Sequence, residues 1–316
     1  MERTPTYSRP WRIPFQDRSL FFPGLTSAAA TQAGIRLAFN SSTGTIAGKI
    51  LFFPENQKLD LFVDGCFVAT ADLANQTTFR FEGLGQHEKL IELWLPQRAD
   101  FALEQLEIDN DATLRPYEDT RPKWVTYGSS ITHCGSAHSP SRTWPAMVAR
   151  ERNWNLTCLG YGGQCHLDIE IARMMRDRPA DYLSICAGIN IYGSPTLNER
   201  TFRSSLIGFV RILREKHAET PLLLISPIYS KPREETPNSQ GWTLGHYRTA
   251  VEEAVRLLRE HGDKNIHYLS GLEIGGESLH EYMPDQLHPD GDGTEIMGRN
   301  FLLHAAPILA GERGGR

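Results

Sequence analysis

The stretch WVTYGSSITHC, residues 124–134, decides the fold. Trp124-Val125-Thr126-Tyr127 reads as the end of a buried strand, and Gly128-Ser129-Ser130 stands at its mouth. Such a turn is either a loop that needs small polar residues or the seat of a nucleophile. The chain that follows repeats one grammar. TWPAMVARERN (143–153) reads as a helix with Pro145 in its first turn. LTCLGYGG (156–163) is a strand and turn, DIEIARMMRDRP (168–179) a helix, and DYLSICAGIN (181–190) a strand. A long helix (199–217), the strand PLLLISPIYS (221–230), a helix (246–262), the strand NIHYLSG (265–271) and a last helix (293–309) complete it. Apolar strands alternating with amphipathic helices predict a parallel sheet covered on both faces, a three-layer α/β/α domain. In such sheets ligands bind beyond the carboxyl ends of the strands. Gly128-Ser129-Ser130, Gly160-Tyr161-Gly162-Gly163, Gly188-Ile189-Asn190 and Ser226-Pro227 all stand there.

Upstream the pattern differs. Residues 34–42, 45–54, 58–73, 77–84 and 89–96 are short β-rich runs separated by turn formers, among them Ser41-Ser42-Thr43-Gly44 and Pro54-Glu55-Asn56. LDLFVDGCFVA reads as a hairpin turning on Asp64-Gly65. Five to seven such strands predict an antiparallel β-sandwich. A charged, proline-bearing connector from Pro116 to Pro122 puts the boundary near 120. Two domains are expected, 1–120 and 121–316.

Composition narrows the function. The chain has 316 residues and a net charge of −5, with no basic patch for nucleic acid. No run approaches the ~20 apolar residues that span a bilayer. The opening MERTPTYSRPWRIPFQD lacks the apolar core of a signal peptide, so a cytoplasmic protein is expected. Five cysteines, an odd number with no C-x-x-C pair, read as free thiols. Cys158, Cys165 and His166 match no standard zinc spacing, and no metal is expected.

A serine hydroxyl is a weak nucleophile until a histidine, held by a carboxylate, takes its proton. Of the eleven histidines, His288 is set apart by YMPDQLHPDGDG (282–293). There Asp285 precedes it by three positions in a short turn ahead of a helix. The segment also reads as a polar helix cap, and spacing alone does not choose. Acyl transfer further needs donors for an oxyanion. Gly163, Asn190 and the Ser130 N–H qualify, though glycine is also a plain turn former and asparagine a plain cap.

Taken together, the four segments resemble the SGNH hydrolases, the GDSL esterase and lipase superfamily. Gly128-Ser129-Ser130-Ile131 stands for its G-D-S-[LI] block, Gly160 to Gly163 for its oxyanion turn, Gly188-Ile189-Asn190-Ile191 for G-x-N-D, and Asp285-Gln286-Leu287-His288 for D-x-x-H. All occur in family order over roughly residues 123–310. Ser129 and Ile191 replace two aspartates, neither a triad member. A β-domain ahead of the unit resembles two-domain carbohydrate acetylesterases and GDSL-type acyltransferases. The resemblance implies Ser130 as nucleophile, His288 as base, Asp285 as its orienter, and Ser130, Gly163 and Asn190 as the oxyanion hole, without a cofactor. It implies an esterase acting on small acyl groups, acetyl on a sugar or glycoside foremost. The alternatives are an O-acyltransferase with an acyl-thioester or activated ester donor and a non-catalytic SGNH-fold binding protein. His133, His166, Tyr192, Tyr229 and Trp242, with Trp144, are candidate pocket residues near the same edge. Residues 231–242 read as a polar loop, a candidate lid or specificity loop. Oligomeric state is open.

Overall fold

The computed structural model describes residues 1–51 and 57–312. The chain opens with β1 (Glu2–Arg3), β2 (Ser8–Arg9) and α1 (Pro23–Ala29). The sandwich strands are β3 (Arg36–Ser41), β4 (Ile46–Ile50), β5 (Lys58–Val63), β6 (Cys66–Asp72), β7 (Thr78–Phe81), β8 (Lys89–Trp94), β9 (Leu103–Ile108) and β10 (Arg115–Pro116). They form two antiparallel sheets, ordered β1-β2-β9-β4-β7 and β10-β3-β8-β5-β6. Ile46, Ile50, Phe79 and Phe81 of the first sheet meet Leu59, Leu61, Ile91 and Leu93 of the second in a buried core. Alternating burial along β4 and β7 reflects the period of two that puts one face of a strand inward. The β5–β6 hairpin turns on Asp64 and Gly65, both at positive φ (49° and 77°). The turn expected at Pro54-Glu55-Asn56, and the end of the strand before it, lie outside the described residues.

The second half is built on β11 (Lys123–Gly128), α2 (Ser130–His133), α3 (Trp144–Glu151), β12 (Asn155–Gly160), α4 (Ile169–Asp177), β13 (Tyr182–Cys186), α5 (Ile189–Gly193), α6 (Glu199–Arg214), β14 (Leu222–Ile225), α7 (Lys231–Glu235), α8 (Leu244–Glu260), β15 (Ile266–Leu269), α9 (Gly291–His304) and α10 (Ala306–Leu309). The five strands are parallel, in the order β12-β11-β13-β14-β15. Successive side chains of β11 go to opposite faces. Val125 and Tyr127 join the layer of α4, α6 and α8, where Tyr127 stacks on Phe209 at 5.4 Å. Trp124 joins the layer of α3 and α9, against Trp144, Trp154 and Phe301. Strand order reverses between β11 and β13, so a crevice opens at their carboxyl ends. Ser130 follows directly.

Two readings are corrected. The single last helix breaks at Ala305, because Pro307 has no N–H to continue the ladder and starts α10 instead. Residues 231–242 are not a loop throughout. They begin with α7, whose Glu234 pairs with Arg248 of α8 at 2.6 Å, and Asn238 donates to the Tyr247 hydroxyl at 3.1 Å and the Tyr192 carbonyl at 3.3 Å.

Residues 11–29 pack onto the α/β layer. Ile13, Phe21, Leu25 and Ala29 are buried in the same cluster as Leu159 and Tyr161. Buried Arg12 donates to the carbonyls of Gly160, Ala28 and Thr31. Among the described residues, no helix is long and apolar enough to cross a membrane.

Candidate active site

Ser129 starts the site. Its side chain caps α2, accepting the Ile131 N–H at 3.2 Å, so a serine fills the capping role open to an aspartate there. The single helical turn then presents Ser130 outward and closes at Cys134, which takes a left-handed φ of 58°. Two glycines let this turn sit tightly on the sheet. Gly128 and Gly160 face each other across β11 and β12, and a Cβ on Gly160 would stand 2.3 Å from the His133 backbone nitrogen.

The turn before α9 supplies the partners. Ser130 Oγ lies 2.8 Å from His288 Nε2, and His288 Nδ1 lies 2.5 Å from Asp285 Oδ2. Asp285 Oδ1 also accepts the backbone N–H groups of His288 (2.7 Å) and Leu287 (3.0 Å). Gln286 adopts φ 61° to fold the turn that brings these groups together. Partial burial pushes the Asp285 carboxyl up, but the three hydrogen bonds outweigh it and hold its pKa down at about 2. The carboxylate is therefore charged near pH 7. The ordered chain hydroxyl–imidazole–carboxylate is one that can activate a serine.

Three further donors stand just past the ends of β11, β12 and β13. Asn190 Oδ1 accepts the Cys165 N–H at 2.9 Å, which turns Nδ2 the other way. Gly163 has φ 69° and open space where a Cβ would point. Among the described residues, the Ser130 N–H, the Gly163 N–H and Asn190 Nδ2 have no acceptor. Unpaired donors at strand ends are of the kind that can hold a developing oxyanion. His166 braces that peptide: Nε2 donates to the Gly163 carbonyl at 3.1 Å while Nδ1 meets Thr196 Oγ1 at 2.7 Å.

Ser130 and His288 open into a cavity of about 290 Å³, which His133 also lines. His133 Nε2 donates to the Gln97 carbonyl at 2.5 Å. Burial, reinforced by the Arg12 guanidinium, pushes its pKa down to about 3, so the ring is neutral. Tyr192, Tyr229 and Trp242 do not line this cavity. Tyr192 donates to the Thr236 carbonyl, Tyr229 lies beside Glu277 and His280, and Trp242 packs on Phe202 and Tyr247. Trp144 is core, with its N–H on the Ile131 carbonyl. The cavity also takes in Arg98, a residue of the N-terminal half that carries no motif and so was invisible to pattern reading. Among the described residues, no group of three or more His, Cys, Asp or Glu side chains could hold a metal ion.

The fold and these strand-end blocks define a class. The chain belongs to the GDSL-like lipase/acylhydrolase family, whose model matches residues 122–298, and this places it among the enzymes of the SGNH superfamily. Residues 3–104 match a second model, the SsfX3 N-terminal domain. The chain is similar to the salicylyl-acyltransferase SsfX3 from a tetracycline biosynthetic pathway, with 33% identity, a TM-score of 0.88, and 97% of this chain and 93% of that one covered. It is also similar to a putative GDSL-like lipase from Bacteroides ovatus (24%, TM-score 0.78, covering 95% and 92%). A family two carbohydrate esterase from Clostridium thermocellum shares the fold (14%, TM-score 0.68, covering 89% and 94%). No curated protein matches the chain.

Proposed function

We propose that the chain is a serine esterase that cleaves small acyl esters through an acyl-enzyme on Ser130, with residues 121–316 as the catalytic unit and 1–120 as a substrate-shaping one. The observation that carries this reading is the unbroken run from Ser130 Oγ through His288 to Asp285. His288 Nε2 takes the hydroxyl proton as Oγ bonds to the carbonyl carbon. The carbonyl electron pair moves onto oxygen, facing the Ser130 and Gly163 N–H groups and Asn190 Nδ2. Collapse breaks the bond to the leaving alcohol, which takes the proton from His288. Water, deprotonated by the same imidazole, then attacks the acyl-enzyme and releases the acid and free Ser130. Asp285 stays ionised and keeps the imidazolium in place. A third of the His288 side chain is open to solvent, which suits water as acceptor. An acetyl ester of a sugar or glycoside is the proposed substrate.

A second reading has a specific observation behind it. Similarity to an acyltransferase extends over nearly the whole chain, sandwich included. In that reading an alcohol replaces water, and the donor is a thioester or activated ester. Product analysis tests the choice. The protein is given an acetyl ester or an aryl thioester, with and without a sugar alcohol. Free acid whose yield ignores the alcohol supports the esterase. Acylated alcohol that forms at the expense of acid supports the transferase. Neither product, from folded protein, defeats both.

A further inference from the structure

Residues 97–102 of the N-terminal half reach across onto the catalytic loop. The Gln97 side chain donates to the Ala137 carbonyl at 3.2 Å, its carbonyl receives His133, and the Phe101 N–H donates to Gln32 at 2.5 Å. Gln97, Ala99, Phe101 and Ala102 are buried, so the backbone on both sides of Arg98 is fixed. Arg98 and Asp100 turn outward; Asp100 pairs with Arg9 at 3.4 Å, while the Arg98 stem lies over Gly135, where a Cβ would stand 3.6 Å from Cγ.

Arg98 lines the cavity into which Ser130 and His288 open. Among the described lining residues it is the only side chain with a fixed charge, and Asp285 stands behind His288, outside the lining. Arg98 has no carboxylate or carbonyl partner among the described residues. Arg36, Arg121, Arg214 and Arg248 each hold a carboxylate. The charge is felt in the site, since it adds to the forces keeping His133 neutral. An unpaired guanidinium on a fixed loop, in a chain with net charge −5, is set to take its counter-ion from a ligand. Its planar fork fits a carboxylate or phosphate with two parallel bonds.

We propose that Arg98 is a specificity-determining residue: the preferred substrate carries a carboxylate or phosphate that Arg98 holds while the ester carbonyl lies at Ser130. This rests on Ser130 being the nucleophile.

The test uses matched esters and the full chain. Para-nitrophenyl hemisuccinate against its methyl ester puts the charge on the acyl side. Meta-carboxyphenyl acetate against phenyl acetate puts it on the alcohol side. The parent should prefer the anionic member of one pair. Arg98→Gln should raise KM for that member about ten- to a hundred-fold while moving its neutral partner less than about twofold. Salt should weaken the parent's preference. Calorimetry on Ser130→Ala, with benzoate and phenyl phosphate against benzamide, reads the anion site without chemistry. One of the two anions should bind, benzamide should not, and adding Arg98→Gln should abolish binding. Ester cleavage through Ser130 with no preference in either pair, and no anion binding, overturns the proposal and leaves the esterase reading standing. No ester cleavage, with anion binding still lost in Arg98→Gln, removes the esterase reading and leaves the anion site.

Discussion

Asp285 is a surface carboxylate by exposure, with 56% of its side chain open, yet its geometry is fully specified. Two backbone N–H groups and the imidazole fix both oxygens. Its pKa is depressed to about 2, below the ordinary carboxylate value. The carboxylate's contribution is thus present above pH ~3.9 and lost only as pH falls through about 2. A kcat/KM profile should then show no ionisation from Asp285 above about pH 4. Asp285→Asn should cost roughly 10²- to 10⁴-fold in kcat, read by steady-state kinetics on any cleaved ester. Asn190 offers a second test. Asn190→Asp keeps an oxygen for the Cys165 N–H but removes the Nδ2 donor. It should lower kcat by about 10²- to 10³-fold with KM and melting temperature little changed. A large melting shift would mean that Asn190 is only a brace. The Ser130, Asp285 and His288 positions were legible because each lies in a short local pattern at a strand end or turn. Arg98 was not, since nothing within ten residues of it marks chemistry.

At the scale of elements, the site depends on how closely α2 approaches β12. Gly160 makes that approach possible, with backbone of Thr132 and His133 where its Cβ would be. Backbone cannot rotate away as a side chain can. Gly160→Ala should therefore push α2 outward, lower the melting temperature and sharply slow the labelling of Ser130 by a fluorophosphonate. Thermal unfolding and labelling rate on the same sample check both. The Ser129 cap is a milder case. Ser129→Ala should cost about 1 kcal/mol in denaturant unfolding, while Ser129→Asp should retain stability because a carboxylate can accept the same N–H. Alternation of strands and helices was readable from periodicity alone. The break before α10 was not, because the chain stays apolar through Pro307 and only the missing N–H interrupts it.

For the whole molecule, the two halves are joined by buried polar contacts that no pattern in either half announces. Asp60 of the sandwich is buried and accepts Ser139 Oγ at 2.6 Å and the Ser141 N–H at 2.9 Å from the other half. Arg36 bridges Glu92 at 2.8 Å and reaches Asn155 on β12. Residues 11–29 fill the α/β core itself. A fragment of residues 121–316 should accordingly lose Ile13, Phe21, Leu25 and Ala29 from its core and Arg12 from beneath Gly160. It should fail to fold cooperatively, whereas the full chain should unfold in a single transition. A soluble fragment with a sharp transition would show the halves to be energetically independent. The connector at Pro116 to Pro122 was visible in the sequence because prolines and charges mark it. The return of residues 11–29 to the second half was not, since only long-range packing places them.

The measurement that tests the central claim most directly is the intact mass of the full chain after treatment with a fluorophosphonate, with Ser130→Ala in parallel. The account predicts one adduct on the parent and none on the variant. No adduct on the folded parent, or an adduct that survives the substitution, would contradict it.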